Sequence, residues 1–203
     1  MKKLIGFEAL LSLAGAIGLL LWWFSMPVFL PVTDATEHFQ EMVLDPAWIP
    51  VNLVGLISVI LITLGFPGFW LRYHEKLKSP GTAGLVIATA GLVLFTAIQY
   101  YESLLWPAAA GVAPELVRAD GALVSGNTAV VAGLLASGIL LGTGYILFGV
   151  SVLKARVLPK FPVWLLLIGA PVFGNAIVFP LRTVGLVLFC TGTIWLSLKI
   201  RKS

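Results

Sequence analysis

Apolar runs about as long as a bilayer is thick recur along this chain, separated by short polar stretches. They cover residues 4–26, 48–71, 82–105, 127–153, 163–179 and 183–200. A helix needs about 20 mostly apolar residues (about 17–25) to cross hydrocarbon. Every peptide group there must be hydrogen-bonded within the protein, which leaves helices or closed barrels. The alternating pattern of a barrel strand is absent. The pattern predicts an all-α, polytopic membrane protein: one transmembrane domain over residues 1–203, built as a bundle of six transmembrane helices. The fifth and sixth runs are short, and Pro180-Leu181-Arg182 between them predicts a tight hairpin. The first run exceeds the roughly 7–15 residues of a signal-peptide core and leads into Pro27-Val28-Phe29 without a small-x-small site, so it reads as a retained helix.

Two connections carry helical signals of their own. In residues 27–47, Asp34 with Glu37 forms a capping-box arrangement. Phe39, Met42 and Val43 follow on one helical face, which predicts a short interfacial helix on the outer leaflet. In residues 106–126, Pro114-Glu115 marks a start and Gly121 a stop for a second short helix.

Composition agrees with a lipid-solvated bundle. Apolar residues make up 59% of the 203, charged residues 11%, and mean hydropathy is +1.02; soluble domains carry about 25% charged residues. The net charge of +4 is explained by topology. With both termini and the connections 72–80 and 154–162 on one side, that side holds all of the 13 Lys and Arg residues except Arg118 and Arg182. The positive-inside rule makes it the cytoplasm, giving a multipass protein of the plasma or inner membrane. Asp34, Glu37, Glu41, Asp45, Glu115 and Asp120 gather on the other side, and the seven Trp residues fall near predicted helix ends as interfacial belts do. The lipid bilayer is the partner this implies, and no nucleic acid is needed to account for the charge.

Small residues mark contact faces, because helices in lipid associate through close packing. The fourth run carries Gly133, Gly138, Gly142, Gly144 and Gly149, the third Gly84, Ala88 and Gly91, the first Ala14 and Gly18. The Gly138–Gly142 pair suits internal packing, or a homo-oligomer or membrane-protein partner. Pro171 with Gly174 predicts a bend in the fifth helix. Gly55-Leu56-Ile57 and Gly133-Leu134-Leu135 form a faint echo between the second and fourth runs.

Much chemistry is excluded. No predicted span contains an aspartate, a lysine or a histidine apart from Lys199 at the last helix end. That removes magnesium-dependent transferases, retinal Schiff bases, histidine-assisted serine proteases and bis-histidine haem bundles. The single cysteine, Cys190, lies in an apolar run and builds neither a disulfide nor a metal cluster. His74 belongs to a basic connection. His38 with Asp34, Glu37 and Glu41 has cation-ligand residue types on one short helix, yet reads as a solvated acidic face. No catalytic residue, metal site or cofactor is expected.

Ionisable groups within spans are the functional candidates. Glu8 lies one turn inside the first run and reads as snorkelling. Glu102 has company at its depth: Gln99 three residues earlier and Tyr101 beside it, Asn52, Asn127 and Asn175 from three other runs, and Arg182. Polar groups are costly in hydrocarbon unless paired or wet. The pattern predicts an outward-opening polar pocket with Glu102 and Arg182 as its charged floor, and Gln99, Tyr101 and the asparagines as walls. It would take a small-molecule or lipid ligand.

From Gly149 to Ile168, the motif Gly-x-x-x-Leu-Lys-Ala-Arg-Val-Leu-Pro-Lys followed by Leu-Leu-Leu-Ile resembles a stretch in uncharacterised bacterial multipass membrane proteins of domain-of-unknown-function type. The resemblance implies a membrane bundle and brings no activity. The functional expectation is ligand binding or a transport-like role at the pocket. The alternative is a non-catalytic accessory subunit docking through small-residue faces.

Overall fold

The computed structural model describes residues 2–26, 35–118, 121–123, 126–175 and 179–201. It is 90% helical, with no strand among the described residues. The elements are α1 (Lys2–Ser25), α2 (Ala35–Leu44), α3 (Trp48–Tyr100), a π-helical turn (Tyr101–Leu105), α4 (Trp106–Ala110), a 3-10 turn (Pro114–Val117), α5 (Thr128–Ala155), α6 (Lys160–Asn175) and α7 (Phe179–Arg201). Four helical stretches are long and apolar enough to cross a membrane: Gly6–Ser25, Trp48–Ala110, Thr128–Ala155 and Pro180–Arg201. At 16 residues, α6 is shorter.

Helix α3 doubles back on itself. Lys78 has φ 55° and ψ −170°, outside helical space, and the chain is helical on both sides of it. Trp70 Nε1 donates to Thr82 Oγ1 at 3.1 Å, and Trp48 Nε1 to the Glu102 carbonyl at 3.1 Å. In a straight helix Trp48 and Glu102 would lie about 80 Å apart at about 1.5 Å per residue. The second and third apolar runs are therefore the two arms of a hairpin, and the connection expected over 72–80 is mostly helix, with the reversal concentrated at one residue. Pro80 falls in the first turn of the second arm, where its missing N–H costs nothing. At Gly81 a Cβ would lie 2.6 Å from that of Leu77.

Two boundaries at the other end also differ from expectation. Helix α6 starts three residues before the predicted 163 and is described as far as Asn175. Helix α7 takes in Pro180, Leu181 and Arg182, so Arg182 projects from a helix and not from a tight link.

The helices close a ring: α1 packs on the first arm of α3 and on α7, the second arm on α5, α5 on α6, and α6 on α7. Glycines line the α1–α3, α3–α5, α5–α6 and α6–α7 seams. A Cβ at Gly15 would come within 2.8 Å of Ile62 Cγ1, at Gly142 within 2.9 Å of Pro171 Cα, and at Gly185 within 2.8 Å of Val172 Cγ1. The Gly138–Gly142 pair is taken up by Gly174 and Pro171 of α6, so it is an internal contact. Gly18 faces Ser58, whereas Ala14, expected on the same contact face, is exposed. Aromatic side chains fill the centre: Phe66 lies 4.7 Å from Tyr145 and 5.0 Å from Phe148, and Tyr145 5.2 Å from Phe189. Cys190 is fully buried beside them.

The apolar face of α2 meets protein rather than an open outer surface. Met42 and Val43 are buried with Trp48, Trp106, Ala110 and Val117, and the Phe39 ring stands 5.3 Å from that of Trp106. Two tryptophans offer enough apolar area to bury the face that was expected to lie on lipid headgroups. Asp34 and the side chains of Glu37 and His38 lie outside the described residues. The second short helix is the 3-10 turn Pro114–Val117, and Gly121 N–H donates to the Arg118 carbonyl at 2.8 Å.

Candidate functional site

Glu102 sits in the π-helical turn that ends the second arm of α3. A π turn holds one residue more than an α turn, and such bulges recur at functional sites. Here the Trp106 N–H reaches back to the Tyr101 carbonyl, and the Ser103 hydroxyl donates to the Gln99 carbonyl. Gln99, three residues before Glu102, is 1% exposed and donates from Nε2 to Glu102 Oε2 at 3.3 Å. Its Oε1 is buried without a donor.

A cleft of about 260 Å³ opens beside Glu102, between the second arm of α3 and the start of α5. Its α3 wall is Leu94, Ala97, Ile98, Tyr101 and Glu102, the helical spacing of one face. Its α5 wall is Ala129, Val130, Gly133 and Leu134, again one face, and Trp106 completes it. Only Glu102 brings charge into this lining. At Gly133 a Cβ would meet nothing within 4 Å. The seam that glycines close elsewhere is open here, because α3 and α5 diverge above their contact at Gly91 and Leu141. The Tyr101 hydroxyl and Trp106 Nε1 both donate to the Leu123 carbonyl, at 3.0 and 3.1 Å, which fixes the two rings at the cleft's end.

A second cleft of about 150 Å³ adjoins the first, with Ile98 and Leu134 lining both. Arg182 and Asn175 belong to this one. The Arg182 guanidinium carbon stands 5.7 Å from the Trp23 ring centre and 5.6 Å from that of Phe173, within cation–π reach of two rings that meet each other edge to face. Its Nε is buried with no acceptor. The carboxylate and guanidinium act on each other electrostatically, yet Glu102 and Arg182 form no ion pair.

The remaining predicted walls are held elsewhere. Asn52, 1% exposed, accepts from Trp22 Nε1 at 3.1 Å and donates to the Trp48 carbonyl at 2.9 Å, locking α1 to α3. Through Trp48 it supports the Glu102 backbone but does not line the cleft. Asn127 is the N-cap of α5, accepting from the Ala129 N–H at 2.9 Å. Asn175 donates to the Gly138 and Pro171 carbonyls at 3.0 and 2.9 Å, bracing α6 against α5 at the edge of the smaller cleft. The structure thus joins Gln99, Tyr101 and Glu102 in one cleft, sets Arg182 and Asn175 in its neighbour, and gives Asn52 and Asn127 structural partners. Sequence reasoning missed Trp23, Phe173, Gly133 and Leu134. The only signal for them was helical spacing, which marks packed and open faces alike.

Glu8 lies at the opposite end of α1 against Gly68, where a Cβ would come within 2.7 Å of Glu8 Oε2. That oxygen is buried and without a partner, as is Ser12 Oγ one turn on. No group of three or more potential metal ligands occurs among the described residues. No family model matches this chain, and no curated protein or solved structure matches it either.

Proposed function

We propose that this chain is a multipass membrane protein that binds a small ligand in the cleft beside Glu102. On this reading α1, both arms of α3, α5, α6 and α7 make six crossings of a plasma or inner membrane. Both termini are cytoplasmic and the Glu102 end faces outward. Four helices of spanning length and apolarity support the membrane assignment. So does the outer surface of the bundle, where Phe7, Ile57, Leu64, Val86 and Ile139 are each more than half exposed; soluble monomers rarely show so much apolar surface. The one-sided distribution of basic residues supports the orientation.

The observation that carries the ligand reading is a carboxylate that forms no ion pair, at the end of an otherwise apolar cleft. A charged group at such depth is costly and is retained where it serves a pathway or a ligand. Apolar walls with a few convergent polar groups are what small-ligand sites offer. The accessory-subunit alternative loses its strongest support, since the Gly138–Gly142 face is already occupied by α6. Native mass spectrometry of wild type and Glu102→Gln released from mild detergent tests the proposal. A bound mass present in wild type and lost in the variant is expected. The ligand reading fails if both proteins fly as bare chains.

A further inference from the structure

Glu102 and Arg182 line two adjoining clefts that share Ile98 and Leu134. Two opposite charges removed from water normally recover part of the cost by touching. Here the fold keeps them from doing so. The carboxylate is tethered by Gln99 on its own helix, and the guanidinium rests against Trp23 and Phe173. Trp23 is itself fixed, its Nε1 donating to Thr183 Oγ1 at 3.0 Å. What the site lacks can be read from its loose ends. Gln99 Oε1 is buried without a donor and Arg182 Nε without an acceptor, and the Glu102 carboxylate has the Gln99 amide but no cation against it.

We infer that the two clefts together form one site for a phospholipid with a primary ammonium and a phosphodiester in its headgroup, the ammonium against Glu102 and Gln99 and the phosphate against Arg182. This inference rests on the ligand-binding reading above. The headgroup charges match the side chains in sign. A primary ammonium carries three N–H donors for the two acceptors present, and a guanidinium is the side chain best suited to phosphate. A free zwitterion would satisfy the charges yet leave the apolar walls of Leu94, Ala97, Val130 and Leu134 uncovered. An acyl chain covers them, and the exposed faces of Ala129, Gly133 and Leu134 give it a lateral way in from the bilayer. Gly133 provides the width: any side chain there would project into the space the chain needs.

The test is lipid retention. Wild type is incubated with equal amounts of palmitoyl-oleoyl phosphatidylethanolamine, phosphatidylcholine and phosphatidylglycerol in mild detergent, and the bound lipid is weighed by native mass spectrometry. One phosphatidylethanolamine per chain is expected, preferred over the other two by about tenfold, equivalent to about 1.4 kcal/mol. Gly133→Leu, whose Cβ meets nothing within 4 Å, should abolish retention. Glu102→Gln should erase the preference over phosphatidylcholine, whose quaternary ammonium has no N–H to offer. Equal retention of all three lipids would overturn the inference. A Glu102-dependent mass that is not phosphatidylethanolamine, recovered from the cell membrane, would overturn it while leaving the ligand reading intact. Bare wild-type chains in every mixture would sink both.

Discussion

Gly55 and Gly133 begin nearly the same tripeptide, Gly-Leu-Ile and Gly-Leu-Leu, inside long apolar helices. The same substitution at the two sites should have opposite effects. At Gly55 an alanine Cβ would lie 2.7 Å from Trp22 Cγ and Cδ2 and 2.8 Å from Cδ1, against about 3.5–4.0 Å for carbon atoms at rest. The ring must retreat by about 1 Å to reach that spacing. Trp22 Nε1 now sits 3.1 Å from Asn52 Oδ1, and beyond about 3.5 Å little of that hydrogen bond survives. Overpacking costs about 1–3 kcal/mol, and the lost bond about 0.6 kcal/mol by the average for helices in membranes. Alanine returns about 0.5–1 kcal/mol of helix propensity. The net expectation is a loss of roughly 1–3 kcal/mol, since overpacking is the largest of these terms. At Gly133 only the propensity term remains, because nothing lies within 4 Å, so Gly133→Ala should gain about 0.5–1 kcal/mol. Reversible unfolding in mixed micelles, titrated with SDS and followed by tryptophan fluorescence and far-UV circular dichroism, reads both. Midpoints that move the same way by similar amounts would refute this account and leave helix propensity as the only factor.

Other consequences are open to direct measurement. Lys78 occupies a region of positive φ and extended ψ that costs a residue with a side chain about 1–3 kcal/mol; Lys78→Gly should recover much of it, and an unchanged or lowered unfolding midpoint would show that the lysine side chain contributes more than the strain costs. Arg156, in the left-handed region at φ 53° and ψ 35°, should give a smaller gain of about 1 kcal/mol on Arg156→Gly. Cys190, fully buried in the aromatic centre, should resist a membrane-permeant maleimide in the folded protein and react once SDS unfolds it; fast labelling under native conditions would contradict the packing described.

The apolar runs located the helices well because span length is a one-dimensional property. Their ends were harder. The reversal at Lys78 carries no glycine at the residue that turns, so the polar stretch 72–80 looked like a loop although helix continues through most of it. Pro180 suggested a link, but Pro180, Leu181 and Arg182 all lie within α7. The site was partly legible for a related reason. Gln99 and Glu102 are three apart on one helix, and such neighbours meet whatever the tertiary structure does. Asn52, Asn127, Asn175 and Arg182 were grouped by depth alone. Depth leaves the direction around each helix axis unspecified, and that direction is set by packing: Trp22 draws Asn52 inward, Ala129 takes Asn127 as a cap, and Gly138 with Pro171 holds Asn175. The apolar face of α2 found Trp48 and Trp106 because the hairpin brings those distant residues together.

The π turn at Tyr101–Leu105 turns the count of residues into a constraint on how this chain can diverge. Losing one residue there would let the Trp106 N–H close an α turn on the same Tyr101 carbonyl, leaving Trp106 against Trp48 and the Leu123 carbonyl. A gain of one more residue has no such slack and would swing everything beyond it by about 100°. Single deletions among homologous chains should therefore collect in the interval from Gln99 to Trp106, and insertions should avoid it.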